Sequence, residues 1–405
     1  MSCSEHGLLS LDQALATYTT VKKQAQLQIA LSHAHCHYLA EDVMSTIALP
    51  LFTQSAVDGY ALKSEDVAAG LTTFKLVGEV RAGVSQQLEI QSGECLRIFT
   101  GGRVPESADT VARQEIVTAD AATIHLNECL KQGADIRYQG EELQVGACLA
   151  RRGQYLNSGV IAALSMAGVQ QVNVFAQPKI AVLITGDEVS QSLENDAQVF
   201  DANAPMILAW LKEQGYQNVT LQHVIDDEAV LSQVLQDALQ KHDLVITTGG
   251  VSVGDYDFIR PVSLALGAKE IFWKVAQKPG KPLYFAQYQH LNRSAYLIGL
   301  PGNPAAVFVC LALHVTTLLK ALQGIAHPQP QWQRALLNDT VRLDSREQLL
   351  RMKLDVNQQG QRIVSKLKKQ QSHMLSNLSE ANVIVRIPTQ TLAESPLEYV
   401  DCLEI

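Results

Sequence analysis

The sequence of 405 residues has no CxxC pair, no run of eighteen consecutive apolar residues, no low-complexity tract and no repeat of solenoid period. Its seven cysteines, at positions 3, 36, 95, 129, 148, 310 and 402, are odd in number and widely spread. That pattern fits reduced thiols in a cytoplasm better than a disulfide framework. The longest apolar stretch, Ala305 to Leu313, is broken by His314, Thr316 and Thr317, short of what a membrane span needs, so a soluble protein with no membrane partner is expected. The N-terminal MSCSEHGLLSLDQ lacks a basic start followed by an apolar core, and no secretory signal is expected. Basic residues are in deficit, with 32 Lys and Arg against 41 Asp and Glu and a net charge of −9. This argues against a chain that coats nucleic acid but leaves small anionic substrates open. Neither GxxxxGK[ST] nor GxGxxG occurs, so no standard P-loop or dinucleotide fingerprint is present.

What is there is an ordinary globular balance, 47% hydrophobic and 18% charged residues, in a chain long enough for two or three domains. Residues 11–32 carry Leu11, Ala14, Leu15, Tyr18, Val21, Ala25 and Ile29 at near-helical spacing without Gly or Pro, which predicts one or two amphipathic helices. From Leu49 to about Cys148 short apolar runs punctuated by Gly, Pro, Asp and Asn predict an all-β module. A short helix over 159–168 follows. From Pro178 the rhythm alternates: strands at 179–185, 219–225, 243–248, near 270–275 and 295–299, and helices at 204–215, 228–240, near 258–266 and about 304–322. Such alternation predicts an α/β domain, a mostly parallel three-layer sheet with helices on both faces. The Pro-rich HPQPQWQ at 327–333 then marks a boundary to a small C-terminal β domain.

In parallel sheets ligands bind at the carboxyl ends of the strands, so the loops there are where chemistry is expected. The run DLVITTGGVSVGDYDFIRP, 243–261, ends a buried strand at Thr248 and places Gly249, Gly250, Ser252 and Gly254 before a helix. Glycines let backbone amides approach a phosphate, and a helix start adds its positive dipole end. A tight turn that needs glycine for conformation alone would read the same way. Carboxylates crowd the same edge: Asp187, Glu188, Asp201, Asp226, Asp227, Asp255 and Asp257. Each alone reads as a cap or loop residue, but together they would repel a phosphate unless a hard divalent cation, Mg²⁺, lay between. The spacing leaves open which of them would touch the metal. In WKVAQKPGKPLYF, 273–285, Pro279, Gly280 and Pro282 fix a turn that aims Lys278 and Lys281 at one anion, or else holds solvated lysines. GLPGNPAA, 299–306, carries Pro301 and offers Asn303 as a helix cap. In the β module, SAVDGYAL holds Asp58 and RIFTGGRVPESAD holds Thr100, both readable as hairpin turns. HAHCHY, 33–38, aligns three imidazoles only on a strand, whereas the pattern before it is helical, so a metal site there is disfavoured.

The order of these runs, SAVDGYAL, RIFTGGRVPESAD, ITGDEV, VFDANAPM, ITTGGVSVGDYDF, KPGKP, GLPGNPA and SHMLSNLSEAN at 372–382, resembles the molybdopterin molybdotransferase family, of the MoeA and gephyrin E-domain type, from about residue 8 to 390. The resemblance implies an N-terminal linker region over 1–178 (helices plus about 147–178) with the β module inserted over about 46–146, an α/β molybdopterin-binding domain over 179–327 and a C-terminal β domain over 328–405. It implies a homodimer whose cleft lies between the α/β domain of one subunit and the β module of the other. The implied reaction takes adenylylated molybdopterin and molybdate, inserts the metal into the dithiolene and releases AMP with Mg²⁺. A transient contact with the adenylyltransferase that makes the substrate is also implied.

Carried over residue by residue, the resemblance implies catalytic roles for Asp58, Thr100, Glu188, Ser252 and Asp257, and metal contacts from Asp187, Glu188, Asp227, Asp255 and Asp257. It implies nucleotide and substrate contacts from Thr248, Gly249, Gly250, Ser252, Gly254, Asp201, Pro301 and Asn303, and molybdate contacts from Lys278, Lys281, Pro282, Arg351 and Ser376, with Ser372 beside them. Three departures stand out. Glu142 replaces an Asp of the family pattern, Ala306 replaces a Ser and removes a hydroxyl from the oxyanion pocket, and Arg103 adds a cation beside the cleft. Molybdate and tungstate are both open. Rival readings are an adenylyltransferase, whose family shares the TTGG turn but not the β module or KPGKP, and a non-catalytic scaffold.

Overall fold

The computed structural model describes residues 8–84, 88–187, 189–190, 198–251, 254, 257–390 and 398–405. At the centre is a six-stranded sheet in the order Val219–Val224, Ile180–Thr185, Leu244–Thr248, Arg293–Leu300, Tyr284–His290, Lys269–Trp273. The first four strands are mutually parallel and the last two pairings antiparallel. Alternate residues of each strand feed two cores. Ile180, Val182, Ile184, Ile246 and Ile298 pack with Ile207, Leu211, Leu318 and Leu322 of the helices on one face. Ala181, Leu183, Val245 and Leu297 pack with Leu231, Leu235, Ile259 and Val262 on the other. The outcome is the expected three-layer, mostly parallel α/β arrangement, with Thr185, Val224, Thr248 and Leu300 ending on one edge.

One strand is additional to the sequence reading. Tyr284–His290 lies between Arg293–Leu300 and Lys269–Trp273, as the first arm of a tight hairpin whose second arm is Arg293–Leu300. The segment around residues 11–32 also differs. The helix stops at Thr17, begun by a capping box of Ser10 and Gln13, and a 3-10 turn follows. Gln26–Ala30 is a strand, paired antiparallel with Gln171–Phe175 from Gln26↔Phe175 to Ala30↔Gln171. Leu27 and Ile29 satisfy a period of two as well as a near-helical spacing, and the distant partner strand decides between them.

The segment Pro304–Leu322 is helical throughout, with a π-helical turn at Leu311–Val315. Its mean hydropathy of 2.0 and its length would suit a membrane span, yet 78% of it is buried inside the fold. It is the core helix of the α/β unit, and His314 is accommodated there by polar partners rather than by solvent.

Around this unit stand two β assemblies. One is a six-stranded sheet in the order Thr110–Arg113, Gly59–Leu62, Glu94–Ile98, Thr73–Val80, Thr123–Leu126, Val117–Ala119. Gly59 is required in it because a Cβ there would collide with the Ala112 carbonyl. The other closes on itself: Glu347–Val356 pairs with both Arg362–Lys366 and Val383–Ile387, and the ring is completed through Gln333–Leu337 and Tyr399–Glu404. To this C-terminal barrel the α/β unit contributes a strand of its own, Gln277–Lys278, parallel to Glu347–Gln348.

Candidate active site

The glycine turn is held by its neighbours. The Thr185 hydroxyl donates to the Thr248 carbonyl at 2.9 Å, the Gly249 N–H donates to the Leu300 carbonyl at 3.2 Å, and the Ile259 N–H donates to Gly250 at 3.1 Å. Gly249 and Gly250 have φ of 80° and 63°, and a Cβ on Gly249 would press on Thr185 Oγ1. The conformation alone therefore demands glycine at both places. Beside the turn, a Cβ on Gly302 would lie 3.7 Å from Gly249 Cα, so the TTGG and PGN turns adjoin. The side-chain oxygens of Thr247, Thr248 and Asn203 are buried here without a hydrogen-bond partner among the described residues.

The carboxylates divide by what they hold. Asp201 accepts from the Asn203 and Ala204 N–H groups at 2.8 and 3.0 Å and pairs with His223 Nε2 at 2.8 Å, its side chain only 2% exposed. It was expected to touch nucleotide. Instead it fixes the helix start whose Asn203 amide donates to the Gly302 carbonyl at 2.9 Å. Asp187 and Asp226 tie two strand ends together, each accepting from the other's backbone N–H at 3.0 and 3.3 Å. Asp227 Oδ1 caps the helix Glu228–Lys241 through the Val230 N–H at 2.9 Å. Asp257 folds back to accept from the Gly254 N–H. Glu188, Ser252 and Asp255 lie outside the described residues. Among the described residues no three His, Cys, Asp or Glu side chains converge as a metal cage, and this holds for HAHCHY also. The donors at this edge are carboxylate oxygens, the kind a hard cation such as Mg²⁺ takes.

A cavity of about 440 Å³ opens between the lysine turn, the PGN turn and the barrel. Lys278, Lys281, Pro282, Pro301, Asn303 and Ala306 all line it. Asn303 makes no side-chain cap; its amide reaches across to donate to Ser372 Oγ at 3.2 Å, stitching the PGN turn to the barrel. The barrel adds lining groups that no local pattern announced: Arg346, Gln348, Gln370 and Gln371. Lys278 Nζ donates to Asp344 Oδ2 at 2.7 Å, and that bond is the main cause holding the Asp344 carboxyl at about 2.

Two expected anion contacts are placed elsewhere. Arg351 is 1% exposed and absent from the cavity wall; its guanidinium donates to the carbonyls of Met374, Lys369 and Gln371 at 3.0, 3.1 and 3.3 Å. A buried guanidinium with all its reach spent on backbone is a clamp for the 369–374 loop, which carries Gln370, Gln371 and Ser372 to the cavity. Ser376 accepts from Lys369 Nζ at 3.2 Å and does not line the cavity either.

Beneath the lysine turn runs a buried polar chain missed in the sequence. Gln277, His314 and Tyr18 are all fully buried. Gln277 Oε1 lies 2.8 Å from His314 Nε2, and His314 Nδ1 lies 3.1 Å from the Tyr18 hydroxyl. Since the amide oxygen only accepts, Nε2 carries the proton and Tyr18 donates to Nδ1. Burial depresses the imidazole to about 3, so it stays neutral. The Gln277 amide also rests on Cys310 Sγ, and a Cβ on Gly280 would strike both groups.

In the β module, Asp58 Oδ1 accepts from the Thr100 N–H at 2.8 Å and from its hydroxyl at 2.7 Å, and these two bonds hold the carboxyl below its ordinary range. Arg103 lies over the Phe52 ring at 4.6 Å, and Glu142 is exposed.

Comparison with known proteins adds an independent line. Residues 9–168 match the MoeA N-terminal region (domain I and II), 181–321 a probable molybdopterin binding domain and 334–394 the MoeA C-terminal region (domain IV). The molybdopterin molybdenumtransferase of Staphylococcus epidermidis (strain ATCC 35984) is 33% identical over 386 residues, 93% of this chain and 90% of that protein. That of Staphylococcus aureus (strain Mu50) is 32% identical over 370 residues, 89% and 87% of the two chains. The crystal structure of the molybdopterin biosynthesis MoeA protein from Pyrococcus horikoshii superposes with a TM-score of 0.77 at 26% identity, covering 98% of this chain and 99% of that one. With matching regions in one order, matching length and a matching fold, the chain belongs to the MoeA family.

Proposed function

We propose that the chain is a molybdopterin molybdenumtransferase of molybdenum cofactor biosynthesis, which takes adenylylated molybdopterin and molybdate, inserts the metal into the dithiolene and releases AMP. The observation that carries this reading is the cavity in which Lys278, Lys281 and Arg346 meet beside the adjoining glycine turns. Cations on a partly enclosed wall suit a tetrahedral oxyanion, and the turn at Gly249 and Gly250 offers backbone to the phosphate of the nucleotide. Thr248 and Asn203 supply unpartnered oxygens nearby. Full-length likeness to molybdenumtransferases disfavours the adenylyltransferase reading.

In this reading the residues that would hold Mg²⁺ are drawn from Asp187, Asp227 and Asp257 together with Glu188 and Asp255, and the ion would supply charge neutralisation of the phosphate. The chain's own residues do the rest by position: Lys281 and Arg346 hold the oxyanion, the Asp201-capped helix start braces the PGN turn, and Ser252 with the glycines orients the pyrophosphate. Asp58 and Thr100 act from the β module, as one rigid acceptor and hydroxyl pair. We assign them to the cleft of a homodimer, facing the α/β unit of the other subunit. The scattered cysteines support a cytoplasmic setting.

The test is turnover of adenylylated molybdopterin with molybdate and Mg²⁺, followed by AMP release. Asp257→Ala is expected to keep its circular dichroism and thermal transition while losing AMP release by about 100-fold or more, the scale of a lost charge-positioning group. A wild-type chain that releases no AMP would be a scaffold, and undiminished release by the variant would remove Asp257 from the site.

A further inference from the structure

Three cations line the cavity between the lysine turn and the barrel, Lys278, Lys281 and Arg346, and no carboxylate lines it among the described residues. One carboxylate nevertheless reaches this set from behind. Asp344 Oδ2 takes the Lys278 ammonium at 2.7 Å. The group is well anchored: Oδ1 accepts from the Arg346 N–H at 3.2 Å and from the Ser345 hydroxyl at 3.3 Å, and its carbonyl accepts from the Gln390 N–H at 3.0 Å. Three positive charges less one negative leave two, the charge of a tetrahedral dianion.

We infer that Asp344 is a built-in competing anion, which holds Lys278 when the cavity is empty of substrate and sets both the affinity and the charge selectivity of the oxyanion site. The inference rests on the proposed reading of the cavity as an oxyanion site. An incoming oxyanion shares Lys278 with Asp344 rather than taking it outright. That weakens binding, which suits a site that must hand its oxyanion on. It also narrows the preference for a dianion over a monoanion, because a dianion feels about twice the repulsion from Asp344. Because the pair is partly exposed, at 51% of the Lys278 and 25% of the Asp344 side chain, its effect is electrostatic and modest rather than a structural lock.

The experiment is calorimetric titration of the full-length protein with molybdate alone, and separately with perchlorate, a tetrahedral monoanion. Asp344→Asn keeps an acceptor for the Arg346 N–H and removes the charge. Asp344→Ser does the same with a shorter group, should the amide disturb the loop. Removing one charge a few ångströms from the site in partly screened solvent is expected to tighten molybdate by about 3- to 10-fold at low salt. Perchlorate should gain by about the square root of that factor, because it carries half the charge, and both gains should shrink with added salt. Asp344→Glu, with the charge retained, should stay near wild type. A merely structural Asp344 would give weaker or unchanged binding on substitution. If the wild type binds molybdate and the folded, charge-free variants bind it no tighter, the inference is overturned. Should neither wild type nor variants bind any oxyanion, the oxyanion reading falls, and this inference falls with it.

Discussion

His314 sits on the π-helical turn of the core helix with both ring nitrogens occupied, and its neutrality has a measurable consequence. The unfolded chain's imidazole takes a proton below about pH 6.5, whereas the folded one resists down to about 3. Between those values the unfolded state binds more protons. The stabilisation is therefore complete above about 6.5 and is lost progressively as pH falls toward 3. Thermal melts from pH 7.5 to 4.5 should show the wild type losing stability more steeply than His314→Gln, which keeps polar partners but cannot titrate. Tyr18→Phe leaves Nδ1 buried without its donor and is expected to cost about 1–3 kcal/mol in denaturant unfolding. None of this was legible from the sequence. His314 read there only as an interruption in an apolar run, because its partners lie 296 and 37 residues away. Arg351 is the converse case. A family motif pointed at its chemistry, an anion contact, but only packing reveals a buried clamp on three carbonyls. Arg351→Ala should cost about 2–4 kcal/mol and strip hydrogen-exchange protection from 369–374, and lysine, lacking the planar fork, should not rescue it.

At the scale of elements, the central parallel strands of the α/β unit, KIAVLIT and DLVITT, were readable because they are buried on both faces and closed by turn residues. The same rule explains the misses. Tyr284–His290 follows directly on the proline turn, and its polar end, Gln287 to His290, blurs into the hairpin before Arg293. Gln26–Ala30 is mostly exposed, so its own pattern carries little, and only pairing with Gln171–Phe175 makes it a strand. The glycine turn after Leu244–Thr248 was legible as a turn, and the structure adds the reason for each residue. Gly249→Ala meets both an unfavourable φ of 80° and Thr185 Oγ1 at 2.9 Å. We expect a loss of about 1–3 kcal/mol, read as a lower denaturation midpoint with an unchanged m-value. Gly360, with φ of 78° in a barrel turn but open space around it, should cost less.

On the scale of the molecule, the order of motifs identified the family. It could not show how distant segments make one wall, since Arg346, Gln370 and Gln371 reach Lys281 only through barrel pairing. The proposed shared cleft has a direct test in mixed subunits. Asp58→Ala and Lys281→Ala chains are each expected to be inactive alone. Refolded together, half of the dimers would be mixed and each would hold one intact cleft, giving about a quarter of wild-type AMP release. A site confined to one chain would regain nothing beyond the two parents, so recovery itself decides. The two-residue strand Gln277–Lys278 also matters for anyone recombining these proteins. It is an α/β segment whose backbone ladder belongs to the barrel, in register with Glu347 and Gln348. A chimera that imports a C-terminal barrel from a relative must therefore match two backbone positions as well as a domain outline. A graft one residue out of step would turn Lys278 to the opposite side of its strand, leaving a soluble, well-folded hybrid with a misaimed lysine.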